Sequence, residues 1–188
     1  MRLEQFLSER RSSLIDSWFD EILKTYPADT QNFLKNKNRF SNPVGQTIAE
    51  GIEKIFDALL GEADAEATNS FLDDIIRVRA VQDFTPSQAV SFILLLKDSL
   101  LKELKKHSQG DIPYEELLEF DSRIDRLTLS CFDIFVKCRE KLYDIKANEL
   151  RNMTFRILQR ANALGEDREE KPGPASDSDD NNNKRGNS

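Results

Sequence analysis

Apolar residues recur along the chain at intervals of three and four, the mark of helices with one buried face. Phe6, Leu7, Leu14, Ile15, Trp18, Ile22 and Leu23 trace one such stripe and predict a helix from about Glu4 to Lys24. Tyr26-Pro27 closes it, because the residue before a proline is driven out of helical backbone. A short helical turn with Phe33 and Leu34 follows. Ser41-Asn42-Pro43 then opens another helix, with Asn42 as its cap and Pro43 in its first turn. Val44, Ile48, Ile52, Ile55, Phe56 and Leu59 form its apolar face, and Gly61 stops it. Ala65 to Val81 makes the next helix, through Phe71, Leu72, Ile75, Ile76 and Val78.

A tight junction comes next. Thr85 is an N-cap, Pro86 takes the first helical position, and Gln88 stands three after Thr85 as in a capping box. The run Phe92, Ile93, Leu94, Leu95, Leu96 leaves the following helix no polar face, which predicts a central, surrounded element running to about His107 and ending near Gly110.

Asp111-Ile112-Pro113 starts the last helix, and neither proline nor glycine interrupts it until Gly165. About fifty helical residues extend ~75 Å, more than the diameter of a domain this size, so part of it is expected to project or to pair with another chain. Leu117, Phe120, Ile124, Leu127, Cys131, Ile134, Phe135 and Leu142 give its first half a broad core-facing stripe. Val136, Tyr143, Leu150, Ile157 and Leu164 repeat every seven residues, with Ala147, Thr154 and Ala161 on the same seam. A seven-residue repeat is a coiled-coil pattern. It marks this helix as a homodimer or partner surface; the alternative is a helix that folds back on its own domain. From Gly165 onward no apolar residue is larger than alanine or proline, which predicts a disordered acidic and polar tail. The expected organisation is an all-α domain over 1–145, a helical extension over 146–164 and the tail over 165–188.

The net charge of −7 opposes general nucleic-acid binding, which needs a basic surface. Lys102, Lys105 and Lys106 lie close together but read as a solvated helix face. The N-terminus turns charged before any apolar run develops, and the longest apolar run is too short to span a bilayer. A cytoplasmic protein without membrane insertion is expected. Cys131 and Cys138 are seven apart on one helix, ~10 Å by helical rise, too far for a disulfide within the chain. They read as small core residues. Across a parallel dimer axis each would instead meet its own copy.

Chemistry for catalysis is missing. One histidine cannot make a His-pair metal site, and no CxxC, P-loop, GxSxG or GxGxxG occurs. The acid pairs Asp73-Asp74 and Glu115-Glu116 point apart on a helix and read as surface charge. The expectation is a protein that is not an enzyme and carries no cofactor. His107 extends the Ile93, Leu96, Leu100, Leu104 stripe, so an inward ring and haem ligation is one reading. The other is an exposed histidine favoured by the dipole of the last helical turn.

Arg77 and Arg79 interrupt the apolar segment IIRVRAV just before the junction. Two residues apart on a helix they diverge by ~200°, so one lines the crevice beside the next helix start while the other faces out. An arginine near a helix N-terminus suits an anion or carboxylate. With Gln82 and Gln88 of the same segment, Arg77 and Arg79 are the candidate ligand contacts. The competing reading pairs the arginine with Asp73, Asp74 or Asp83 and lays its stem over apolar surface.

Three segments resemble the RsbRD N-terminal domain family, the sensory modules of RsbR-type co-antagonists of the stressosome kinase RsbT. They are DSWFDEILKTYP, with Trp18, Tyr26 and Pro27; RFSNPVGQTIAEGIEKIFDALL, with Phe40, Asn42, Pro43 and Gly45; and IIRVRAVQDFTPSQAVSFILLLK, with Arg77, Arg79, Gln82, Phe84, Pro86 and Gln88. The resemblance covers roughly residues 3 to 145. It implies a globin-like, haem-free, dimeric sensor that passes a signal along its C-terminal helix. In RsbR-type proteins that helix leads to a STAS output domain, whereas here it runs into the polar tail. The module is therefore expected to act through a protein partner. The alternatives are a structural adaptor docking through the same helix and a haem-binding globin sensor.

Overall fold

The computed structural model describes residues 2–35, 42–61, 65–82, 84–107 and 112–169, without the side chains of 65–67 and 163–169. Among the described residues all regular structure is helical: α1 (Leu3–Glu9), α2 (Arg11–Leu23), α3 (Ala28–Leu34), α4 (Pro43–Leu59), α5 (Ala65–Val81), α6 (Pro86–His107) and α7 (Tyr114–Glu169). The all-α class with a long C-terminal helix is as the hydrophobic periodicity predicted.

The chain divides into two units, Met1–Tyr143 and Asp144–Ser188. In the first, Leu14, Trp18 and Ile22 of α2, Ile48, Ile52 and Ile55 of α4, Ile75 and Ile76 of α5, Phe92, Ile93 and Leu96 of α6, and Phe120, Ile124, Cys131 and Phe135 of α7 form one core. Trp18 ties α2 to α6, its Nε1 donating to the Phe92 carbonyl at 2.5 Å. In the second unit every described side chain is exposed, Leu150 and Ile157 included. Helical backbone continues past the expected stop at Gly165 to Glu169, and residues 170–188 of the expected tail lie outside the described residues.

The caps are those written in the sequence. Asn42 Oδ1 accepts the Gly45 amide at 2.8 Å, while its Nδ2 donates to the Leu34 carbonyl at 2.7 Å. One side chain thus closes the start of α4 and fastens it to the end of α3. Gly45 is required there, because a Cβ would collide with the Asn42 amide and the Leu34 carbonyl. Gly45→Ala should cost about 1–2 kcal/mol, the worth of a lost cap, read as a lower midpoint in urea denaturation. Gly61 ends α4 with a φ of 91°, a left-handed conformation that suits glycine. At α6, the Thr85 amide donates to Gln88 Oε1 at 3.0 Å and the Gln88 amide to Thr85 Oγ1 at 3.4 Å.

Three expectations are corrected. The single helix over 4–24 is two, parted at Arg10, whose φ of −107° and ψ of 11° end α1. Ser12 and Ser13 are weak helix formers, and Glu116 Oε2 accepts the Leu3 amide at 2.7 Å, fixing α1 from its other end. That same contact takes Glu116 out of the role of mere surface charge. Finally, α6 is not surrounded: Leu94 and Leu101 are 39% and 53% exposed. Five consecutive apolar residues span more than a full turn: Phe92, Ile93 and Leu96 are buried in the core and Leu95 packs partly against it, while Leu94 faces out.

Candidate functional site

The junction between α5 and α6 holds the one fully buried arginine among the described residues. Arg79 stands in the last turn of α5 and is 0% exposed. Its Nη2 donates to Thr25 Oγ1, just beyond α2, at 2.6 Å. Three rings surround the guanidinium: its Cζ is 4.6 Å from the centre of Phe84, 5.4 Å from Tyr26 and 5.5 Å from Phe92. Tyr26 and Phe84 meet edge to face at 5.2 Å. Aromatic faces attract a cation, yet no described carboxylate neutralises this one. Nε and Nη1 of Arg79, the Tyr26 hydroxyl and Gln82 Oε1 are buried without hydrogen-bond partners among the described residues.

Burial pulls the Arg79 pKa below its usual range, although a guanidinium starts so high that it stays a cation. Burial pushes the Tyr26 hydroxyl up, against the pull of Arg79, so tyrosine supplies no counter-charge. A charge removed from water with unfilled donors is costly. Such groups gather where a fold is shaped for function rather than for stability.

The structure separates the four candidate ligand contacts. The expected divergence of the two arginines is observed: Arg79 is enclosed, while the Arg77 side chain is 65% exposed and pairs through Nε with Asp73 Oδ2 at 2.5 Å. Arg77 faces an open groove of about 660 Å³ between α5 and α7, with Asp73, Asp133, Lys137 and Lys141. Asp83 lies outside the described residues. Gln82 is half-buried three positions beyond Arg79. Gln88 is exposed and engaged in the α6 cap, so it does not join Arg79. Thr25, Tyr26, Phe84 and Phe92 are the site residues that sequence reasoning did not single out. Tyr26 and Phe84 stand in the segments that carry the family resemblance, but no local pattern says that they converge.

The site is linked to α7. Arg139 Nη1 donates to the Ala80 carbonyl, the residue after Arg79, at 3.1 Å, and its Nη2 to the Tyr143 hydroxyl at 3.1 Å. On α7, Leu118, Leu129, Phe132, Val136 and Tyr143 are exposed, from 37% for Val136 to 68% for Leu129. Their spacings of eleven, three, four and seven place them on one helix face. Lys97 of α6 pairs with Asp121 and Asp125 of α7, both at 2.7 Å, with Leu94 and Leu101 to either side of it on α6. Of the expected seam, Val136, Tyr143, Leu150 and Ile157 are exposed, and the Leu164 side chain lies outside the described residues.

His107 is exposed on the last turn of α6, its Nε2 3.6 Å from Glu103 Oε2. No group of three or more possible metal ligands occurs among the described residues. Lys102, Lys105 and Lys106 are exposed, as a solvated face requires. Cys131 is buried and Cys138 half-buried, both as free thiols. Burial pushes Cys131 up to about 12 and Cys138 upward as well. In the native protein a thiol reagent should label Cys138 first and Cys131 only after denaturation, because the thiolate is the reactive form and must be reached. Equal native labelling would place Cys131 outside the core.

No described helix is long and apolar enough to cross a membrane. The chain is similar to a protein of Archaeoglobus fulgidus described as uncharacterized, 25% identical over 145 residues, 74% of this chain and 83% of that protein. No solved structure matches it. The family model of the RsbT co-antagonist protein rsbRD N-terminal domain matches residues 12–150, a span that contains Arg79, the rings around it and the exposed face of α7. The chain belongs to the RsbT co-antagonist rsbRD N-terminal domain family.

Proposed function

We propose that the chain is a non-enzymatic sensory module of the stressosome type. The α5–α6 junction is its sensing element and α7 its output. The observation that carries this reading is the exposed apolar row on α7, from Leu118 to Tyr143, with Arg139 of the same helix hydrogen-bonded to the backbone beside Arg79. Contiguous exposed apolar surface of this kind marks a protein contact. Leu94 and Leu101 widen the patch around the Lys97 ion pairs, giving an apolar surface with charged groups that fix register. A second copy of the chain suits such a surface, since a two-fold interface is self-complementary. A change of packing at Arg79 alters what Arg139 grips, and through it the face that a partner reads.

Sedimentation velocity on the full chain tests this reading. The expected result is a dimer that Phe132→Lys shifts to monomer, since a buried lysine in an apolar contact must be desolvated. A monomer at all concentrations removes the dimeric version. A dimer indifferent to Phe132→Lys moves the interface elsewhere. The adaptor reading uses the same surface without a signal, and capture of one partner through α7 unaffected by the state of the junction favours it.

A further inference from the structure

We propose that the aromatic box around Arg79 is a closed binding site for a small monocarboxylate, which is the signal of the sensory module; this rests on the regulatory reading above. What the box lacks is specific. It holds a cation that is 0% exposed and, among the described residues, without a counter-ion, with Nε and Nη1 unfilled. A carboxylate brings one negative charge and acceptor oxygens, and hydrogen bonds between ionised groups are the strong ones. The Tyr26 hydroxyl, also without a partner, is a further donor toward the bound oxygens. The faces of Tyr26 and Phe92 suit the apolar body of an organic acid. They select against a phosphate dianion, because one guanidinium leaves its second charge uncompensated in an apolar surround.

The way in is through Phe84. It is the ring nearest the guanidinium at 4.6 Å, and of the three it alone is half-buried while Tyr26 and Phe92 are buried. It stands in the short segment between α5 and α6, where a side chain swings out without breaking a helix. Entry of a carboxylate pushes Phe84 aside, draws Arg79 toward the anion and loosens its hold on Thr25. The Ala80 carbonyl, bonded to Arg139, then moves with the end of α5.

The protein carries its own reporter. Trp18 is the sole tryptophan, and its Nε1 is bonded to the carbonyl of Phe92, one of the three rings. The experiment is a titration of the full chain with acetate, propionate and butyrate, followed by Trp18 fluorescence. Inorganic phosphate and chloride at matched ionic strength serve as controls. A saturable change with the carboxylates is expected. Arg79→Met should weaken it by about tenfold or more, the worth of a charged hydrogen-bonded contact. Phe84→Ala, which opens the box, should respond at lower concentration. If Arg79→Met does not fold, the Phe84→Ala shift alone decides. No saturable response in either the wild type or Phe84→Ala overturns the site, as does a response undiminished in folded Arg79→Met or one given by phosphate and not by carboxylates. The sedimentation result stands apart from all of these, so the site and the regulatory reading fail separately.

Discussion

Trp18→Ala is expected to destabilise the first unit by about 3–5 kcal/mol, the cost of removing a large buried aromatic side chain. Trp18 is 0% exposed in the core that α2, α4 and α6 share. The truncation removes its contacts on all sides and leaves a cavity that rigid helices close only in part. It also takes away the donor to the Phe92 carbonyl. Trp18→Phe keeps most of the ring and loses the donor, and should cost about 1–2 kcal/mol more than a volume-matched change elsewhere in the core. Urea denaturation of both variants separates packing from the hydrogen bond. Equal losses would mean that the link to α6, rather than the ring, holds the two helices together.

Arg79→Met is expected to act in the opposite direction and stabilise the free protein by about 2–3 kcal/mol. Two effects compete. The variant loses a hydrogen bond to Thr25 and the attraction of three rings for a cation, about 2 kcal/mol for the desolvated contact with Phe84 and less for the more distant Tyr26 and Phe92. Against this it relieves the desolvation of a buried charge, several kcal/mol per ion, and two unfilled nitrogens at about 1–3 kcal/mol each. Methionine is unbranched and adaptable enough to fill the space among rings. The desolvation term is the larger, so the sign is positive. A gain in stability on losing Arg79 identifies a residue that costs the fold something, as binding residues commonly do. A loss of several kcal/mol in the urea midpoint would instead make Arg79 a packing element that the rings fully compensate.

Much of the fold is local and was therefore readable. The caps at Asn42 and Thr85 depend on residues within three positions of one another, and the structure makes those bonds. The stripe on α4 is narrow, and Ile48, Ile52, Ile55 and Phe56 all reach the core. The run Phe92 to Leu96 misled because hydrophobicity in sequence does not say how much of a helix its neighbours cover. Leu94 is 39% exposed although its four neighbours in the run are buried or half-buried. The break at Arg10 has no proline or glycine to announce it, and the bond from Glu116 that holds the start of α1 comes from more than a hundred residues away.

The site was half legible. Two arginines at a spacing of two must diverge, and they do: Arg77 finds Asp73 in its own helix, an i to i+4 pairing that sequence can supply. Among the described residues Arg79 finds only Thr25, Tyr26, Phe84 and Phe92, which three other segments bring together. Their convergence belongs to tertiary structure. Gln88 stands in the capping box and not beside Arg79, because a glutamine at a helix start serves a cap and a ligand with the same amide and spacing does not separate the two.

In the proposed module the state of the Arg79 box is felt on α7. Amide hydrogen exchange on the full chain, wild type against Arg79→Met, measures it without need of a ligand or a partner. The expected result is altered protection at the α5–α6 junction together with altered protection in α7 around Arg139, the residue that grips the Ala80 carbonyl. Altered protection confined to the junction, with α7 unchanged, would contradict it.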